Sequence, residues 1–308
     1  MIFFLEKYLY TGNFDKMRKI FAPSELILDQ RGYIYHLHLK PGDIADRIIL
    51  VGDPERVPLV SSFFDTLEIK KQNREFVTHT GFFRKKRVSV LSTGIGTDNI
   101  DIVMNELDAL VNIDFDTRTL RKERKSLTLV RIGTSGALQK DIPLNSFLLS
   151  RKVIGFDGMM HFYAGLDRFN DNFFVNSFIK EVNWPEIWNT PYVLKAPNDL
   201  ADKMSGTGVI EGITISAPGF YGPQGRTLRI PVADTEMNNK IKKFLYQDEK
   251  ITNYEMESSA LYGLSGLLGH KAVTLCAIIA NRETKEANHH YEPLIKRLIE
   301  YVLIKLTA

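Results

Sequence analysis

A single α/β domain, with its sheet covered by helices on both sides, is the fold class this sequence predicts. Three observations predict it. Short β-rich runs recur along the chain, and several are apolar throughout rather than alternating, as strands covered on both faces are. Segments with apolar residues at three- and four-residue spacing lie between them, as amphipathic helices would. No long Pro/Gly/Ser linker, low-complexity tract or internal repeat divides the 308 residues, a length ample for one sizeable core.

Taken in order, the expected strands are 47–51, 87–91, 127–132, 147–150, 209–215 and 272–280. The first expected helix, 99–110, sets Ile102, Val103, Leu107 and Leu110 on one face, with Asp98 and Asn99 as its N-caps. The second, 256–268, repeats that pattern with Ala260, Leu261, Leu264, Leu267 and Leu268 and stops at Gly269, a typical C-terminal glycine. The last, 292–306, tolerates Pro293 in its first turn. Residues 1–31 read as an N-terminal extension packed on the surface, leaving 32–308 as the domain. The basic stretch 112–126 reads as a solvated loop, and Arg84-Lys85-Lys86-Arg87 as a charged hairpin turn.

Composition excludes more than it assigns. Hydrophobic content of 44% and charged content of 25% are ordinary globular values, which removes disordered, collagen-like and fibrous readings. Forty Lys+Arg against 37 Asp+Glu leave a net charge of +3, too small to imply a nucleic-acid partner. Cys276 is the one cysteine, so an intramolecular disulfide framework and a Cys-rich zinc site both fall away, and an apolar run makes it a small core residue. No stretch has the roughly 18 uninterrupted apolar residues that cross a bilayer, and the start lacks the order of a signal peptide. The expectation is a cytoplasmic protein with neither a nucleic acid nor a membrane as partner.

The chemistry is signalled by glycines at strand ends: Gly52-Asp53-Pro54-Glu55-Arg56, Ser92-Thr93-Gly94-Ile95-Gly96 and Arg131-Ile132-Gly133-Thr134-Ser135-Gly136. Ligands of open α/β sheets sit at the carboxyl ends of strands, where small residues let backbone N–H groups approach an anion. Dinucleotide and P-loop fingerprints do not fit. Singly, such glycines are turns and a lone arginine is a surface ion pair; their recurrence with Arg56 and Arg131 makes a phosphate seat the better reading. In Phe220-Tyr-Gly-Pro-Gln224-Gly-Arg226 an amide and a guanidinium can read a carbonyl–NH–carbonyl edge while a ring stacks on a flat heterocycle. In Tyr254-Glu255-Met256-Glu257 a carboxylate can accept two hydrogen bonds from a sugar diol, and Asn281-Arg282 ends the last apolar strand.

With these motifs, joined by Asn73-Arg-Glu-Phe76 and by Asp157-Gly158 followed by His161-Phe162, the chain resembles the uridine phosphorylases of the nucleoside phosphorylase superfamily from about Tyr35 to its C-terminus. The resemblance implies a three-layer α/β/α fold with a mostly mixed, twisted central sheet. It implies phosphorolysis of uridine to uracil and ribose 1-phosphate by a homo-oligomeric pentosyltransferase, at least a dimer with shared sites, with phosphate as co-substrate and no required cofactor or metal. Gly52, Arg56, Arg131 and Thr134 would bind phosphate, with Arg74 donated by a neighbouring subunit. Glu257 would hold the ribose hydroxyls, Met256 would pack on the sugar, and Glu255 would support that loop. Phe220, Gln224 and Arg226 would hold the uracil, Ile279 and Ala280 would line its pocket, and Arg282 would stabilise the departing base, so that Arg282, Arg226 and Glu257 form the catalytic set. His36 would reach a 5′-hydroxyl across a dimer interface, although His38 competes for the role and a half-buried histidine on an early strand is the plainer reading. His161 reads as structural. A potassium ion near Glu75, Ile95 and Asn99 is implied by some relatives, though Thr97-Asp98-Asn99 departs from their turn. Competing readings are a purine nucleoside phosphorylase, a nucleoside hydrolase of the same fold and a non-catalytic nucleoside-binding protein.

Overall fold

The computed structural model describes residues 19–308. The chain enters its sheet through β1 (Arg47–Val51), followed by the short helix α1 (Arg56–Ser61), β2 (Thr66–Asn73), β3 (Phe76–Phe83), β4 (Lys86–Ser92) and α2 (Thr97–Asn112). A small hairpin, β5 (Ile113–Asp114) with β6 (Thr119–Leu120), precedes the long strands β7 (Thr128–Ala137) and β8 (Phe147–Gly155). Then come α3 (Asn172–Val182), β9 (Tyr192–Lys195), α4 (Asn198–Met204), β10 (Val209–Ser216), α5 (Met237–Lys243), β11 (Leu245–Tyr246) and β12 (Glu249–Glu255). The chain closes with α6 (Ser258–Leu268), β13 (Lys271–Asn281), β14 (Glu286–Ala287) and α7 (Glu292–Thr307).

Among the described residues one mixed sheet of 12 strands runs in the order β11-β12-β10-β8-β13-β7-β1-β4-β3-β2, with β9 on β8 and β14 on β13. Its centre is parallel where β1 lies between β4 and β7 and where β7 meets β13. These strands are apolar because both their faces are covered: Ile48, Ile49, Leu50 and Val51 are wholly buried, each contributing about 1.5–3 kcal/mol of transfer free energy. Helix α2 packs on α6, while α7 packs against α1, α4, β7 and β13. On one side the sheet curls until β12 pairs antiparallel with the end of β7, through Asn253↔Ala137 and Tyr254↔Gly136. That closure brings the Glu255 end of β12 beside the Arg131 strand, which sequence spacing alone does not show.

The structure corrects several expected bounds. Helix α2 begins at Thr97 with Gly96 as its N-cap, so Asp98 and Asn99 are first-turn residues and not caps. Helix α6 starts at Ser258, because Glu255 and Met256 still belong to the strand end and the turn. Gly269 does close it at φ +79°, and α7 carries Pro293 in its first turn. The charged turn is confined to Arg84 and Lys85, both left-handed at φ +48° and +62°, while Lys86 and Arg87 already belong to β4. The 112–126 stretch is not simply solvated: it contains the β5–β6 hairpin, and Arg118 donates to the carbonyls of Phe21, Ala22 and Leu26. Those contacts, with the Ile20–Thr119 bridge and buried Leu26, fix residues 20–26 against the domain. Residues 1–18 of the expected extension lie outside the described residues.

Candidate active site

Strands β1, β4 and β7 all run into glycines at their carboxyl ends, and the glycines decide how closely those ends approach. A Cβ on Gly52, just after β1, would sit 3.3 Å from the carbonyl of Gly94, just after β4. Thr93 N–H donates to the Val51 carbonyl at 2.8 Å and holds the two loops together. Within β7 the space above Gly133 is filled by the Arg131 guanidinium, which any side chain there would displace.

Arg131 is 5% exposed. Its Nη2 donates to Glu257 Oε2, and its Nη1 lies 3.4 Å from Glu255 Oε2. Burial opposes the charge on Arg131, yet Glu257 and Glu255 more than offset it and hold the group above its ordinary value. Nε and Nη1 nevertheless have no hydrogen-bond partner. A buried guanidinium with idle donors is costly unless something accepts from them. Arg56, at the start of α1, is the neighbouring cation: burial and then repulsion from Arg131 push it below its ordinary value. Two neighbouring guanidiniums with donors to spare could accept an anion between them. Thr134 lies half-buried three residues along the same strand.

Next to this seat are the two carboxylates. Glu255 accepts from Ser216 Oγ and from the backbone N–H groups of Glu257 and Ser258, both at 3.0 Å, which fixes the turn around half-buried Met256. Glu257, at the N-cap of α6, accepts from Gly96 N–H at 2.9 Å as well as from Arg131. Burial pushes its carboxyl above the usual range, against the pull of Arg131. Glu257 thus spans the loop after β4, the strand β7 and the start of α6.

The third group is Gln224 with two arginines. Gln224 is buried, and its side-chain oxygen accepts from Arg226 Nη1 at 2.7 Å and from Arg282 Nη2. Asn238 and Arg282 both donate to its backbone carbonyl. The Arg226 guanidinium lies 3.7 Å from the centroid of the Phe220 ring, itself half exposed. Arg282 rests over the Tyr254 ring at 4.8 Å and passes close to Gly136. Burial and then repulsion from Arg226 push Arg282 down to about 10. Its Nε is buried without a partner. Ile279 and Ala280 are half-buried on the strand leading to Arg282.

Among the described residues, His36 and Arg74 make no hydrogen bond to these groups. His36 lies in a turn rather than on a strand, and its Nδ1 is 2.7 Å from Glu106 Oε1 on α2. Asn73 Nδ2 donates to the His36 carbonyl at 2.7 Å, and Arg74, at the β2–β3 turn with φ +53°, donates to Tyr35 OH at 3.4 Å. The two therefore form one cluster through Tyr35 and Asn73. His38 is stacked on Tyr33 at 4.5 Å, and His161 Nε2 is 2.8 Å from the Thr190 carbonyl. Glu75 and Asn99 both crowd the space beside Gly94 that a side chain there would need, while Ile95 is exposed.

Sequence reasoning missed Ser216, Asn238 and the Gly96 N–H, each of which holds a site residue in place. No local motif signals them, since their partners lie 39, 14 and 161 positions away. Asp157 was visible only as part of a motif; it accepts from Tyr192 OH and Ser259 Oγ at 2.7 Å and anchors the first turn of α6.

The model of the phosphorylase superfamily matches residues 46–302. The chain is 30% identical over 266 residues to a uridine phosphorylase of Thermococcus kodakarensis, covering 86% of this chain and 84% of that protein. It is 23% identical over 244 residues to a DeoD-type purine nucleoside phosphorylase of Listeria welshimeri, covering 79% and 85%. A solved Trypanosoma brucei nucleoside phosphorylase, whose structure is described as showing uridine phosphorylase activity, superposes with a TM-score of 0.84 at 27% identity, covering 92% of this chain and 99% of that one. Three strand-end loops, two carboxylates and a buried amide between arginines are thus set in a fold shared along nearly the whole chain, and the protein belongs to the phosphorylase superfamily.

Proposed function

We propose that the protein cleaves uridine with inorganic phosphate, releasing uracil and ribose 1-phosphate in nucleoside salvage or catabolism. The observation that carries this reading is the pair Arg56 and Arg131 beside Glu257, with Arg131 Nε and Nη1 buried without a hydrogen-bond partner. A hydrolase that uses water has no need of such a seat. The named activities of the Thermococcus and Trypanosoma proteins support the same substrate.

Phosphate, with Gly52, Arg56, Arg131 and Thr134 around it and Arg74 supplied by a second copy, would sit beneath the sugar. Glu257 would take the 2′- and 3′-hydroxyls, and Met256 would pack on the ribose. His36 of the second copy would reach the 5′-hydroxyl, its ring oriented by Glu106. Uracil would lie in the Phe220, Gln224, Arg226 and Ile279 pocket. Cleavage of the glycosidic bond leaves an oxocarbenium-like sugar, which the phosphate dianion stabilises and then captures. The leaving uracil carries negative charge on its carbonyl oxygens. Because the side-chain oxygen of Gln224 already accepts from two arginines, its amide N–H groups remain for the base. Arg226 and Arg282 repel one another while the base is neutral, and the departing anion relieves that repulsion, so the pair favours the transition state over bound substrate.

The reading includes a homo-oligomer with shared sites, a cytoplasmic location and phosphate as the sole obligatory co-substrate. It also includes a potassium ion at Glu75, Ile95 and Asn99, although the Asn99 atom nearest Gly94 is its amide nitrogen, which is no cation ligand. Among the described residues no helix is long and apolar enough to cross a membrane.

One assay tests the reading: turnover of uridine, thymidine and inosine, each with and without phosphate. Uridine should be cleaved only with phosphate. Arg131→Ala, with folding checked by circular dichroism, should lower that rate by about 10²-fold or more. Phosphate-independent cleavage, faster inosine turnover, or an unchanged Arg131→Ala rate would each overturn it.

A further inference from the structure

The basic stretch 112–126 takes no part in the site described above. It closes over the opposite end of β1, where Arg47 begins the strand that leads to Gly52, about 16 Å away at the usual strand rise. A cleft of about 850 Å³ opens there, within the size range of small-molecule sites. Six basic side chains, Arg47, Arg87, Arg121, Lys122, Arg124 and Lys125, line it against two carboxylates, Asp46 and Glu123. Buried Ile44 and Leu110 form part of its floor.

Arg87 is neutralised, donating to Glu68 and to the carbonyls of Ile44 and Gly42. Among the described residues, none of the other five cations has an ion-pair or side-chain hydrogen-bond partner, although two acidic groups share the lining. Nor is the loop free to spread its charges. Buried Asn112 accepts from Arg121 N–H at 2.8 Å on its carbonyl and from Lys125 N–H at 2.7 Å on its side-chain oxygen, and its amide donates back to the Lys125 carbonyl. Thr128 N–H then donates to the Asp46 carbonyl at 2.8 Å and ties the end of the loop to the start of β1. Pinned at both ends, residues 121–125 hold four cations over a cleft that already contains Arg47. Like charges held together at a concave surface focus a positive field and attract counter-charge.

We infer that this cleft is a second anion site, separate from the phosphate seat, and that it takes a small molecule bearing several consecutive phosphates. A single phosphate would engage only one or two of the five unpartnered cations, whereas a polyphosphate chain can engage most of them. Such a chain belongs to inorganic polyphosphate and to nucleoside triphosphates alike.

Isothermal titration calorimetry on the full chain tests the inference, with enough orthophosphate present to fill the catalytic seat and at physiological salt. Tripolyphosphate and adenosine triphosphate are titrated separately. One molecule should bind per chain, more weakly as salt rises. The triple variant Arg121→Glu, Lys122→Glu, Arg124→Glu should weaken binding by about tenfold or more with uridine turnover unchanged. Arg47→Gln, on the strand facing the loop, should weaken it independently. Tighter binding of the nucleotide would assign the ligand to nucleoside triphosphates, and tighter tripolyphosphate binding to the inorganic chain. Absence of binding at millimolar ligand, full retention in the triple variant, or preference for a single-stranded RNA oligonucleotide over both would overturn it.

Discussion

Gln224 shows how one uncharged side chain can hold two charges in place. It is buried between Arg226 and Arg282 and accepts from both, so the two cations share one oxygen rather than a carboxylate. Replacing it with Ala removes that acceptor and leaves both guanidiniums to repel across the gap. Gln224→Ala should therefore cost about 1–3 kcal/mol in kcat/KM for uridine while leaving the KM for phosphate nearly unchanged. Initial-rate kinetics with each substrate varied in turn measures this, and an equal loss on both sides would make the segment a purely structural one. Gln224, Arg226, Arg131 and Glu257 were legible in the sequence because their motifs are local and their residue types are chemically specific. Ser216, which donates to Glu255, was not, because a serine at a strand end has no local signature and acquires its role only when β10 pairs with β12.

Elements that carry the proposed phosphate seat are coupled to elements that do not. Helix α1, which begins at Arg56, is tied to β3 by the contact between Ser61 Oγ and His79 Nδ1 at 2.8 Å. Burial, and then repulsion from Lys70 directly across the β2–β3 pair, push His79 below its ordinary value. The imidazole is thus kept neutral in the folded protein, while in the unfolded chain it takes up a proton near pH 6.5. The unfolded state then binds more protons, so this contribution to stability is fully present above about pH 6.5 and is lost as the pH falls below that value toward the folded-state pKa. Melting temperatures measured between pH 8 and pH 5 should fall on the acid side, and His79→Gln should flatten that part of the curve. An unchanged slope in the variant would assign the acid sensitivity elsewhere. The same elements show why strands were read unevenly. Arg47–Val51 was legible because both its faces are buried, whereas Thr66–Asn73 has no buried residue and reads as polar loop. The expected 147–150 strand extends to Gly155, since its second half carries Arg151 and Lys152 on a partly exposed stretch that breaks the apolar run.

The whole molecule is where the proposed mechanism is most exposed, because it draws Arg74 and His36 from a second copy of the chain. Arg131, Glu257 and Gln224 belong to the closed side of the sheet, while Arg74 and His36 sit together near the outer strands β2 and β3, held by Tyr35, Asn73 and Glu106. Arg74 is exposed and, among the described residues, its side chain is held by Tyr35 alone, as suits a side chain that completes a site on another copy. If each site takes Arg131 from one copy and Arg74 from its neighbour, Arg74→Ala and Arg131→Ala should each be inactive alone yet complement one another. In a symmetric dimer, random pairing makes about half of the assemblies mixed, each with one intact site of two, so the mixture should recover about a quarter of wild-type turnover. Unfolding and refolding the two variants together, then assaying uridine cleavage against each refolded alone, measures this. Recovery requires that the two residues act on different copies within one site. Activity that stays at the level of the single variants, in assemblies shown by differential tagging to be mixed, would place Arg74 in its own chain's site or outside catalysis altogether.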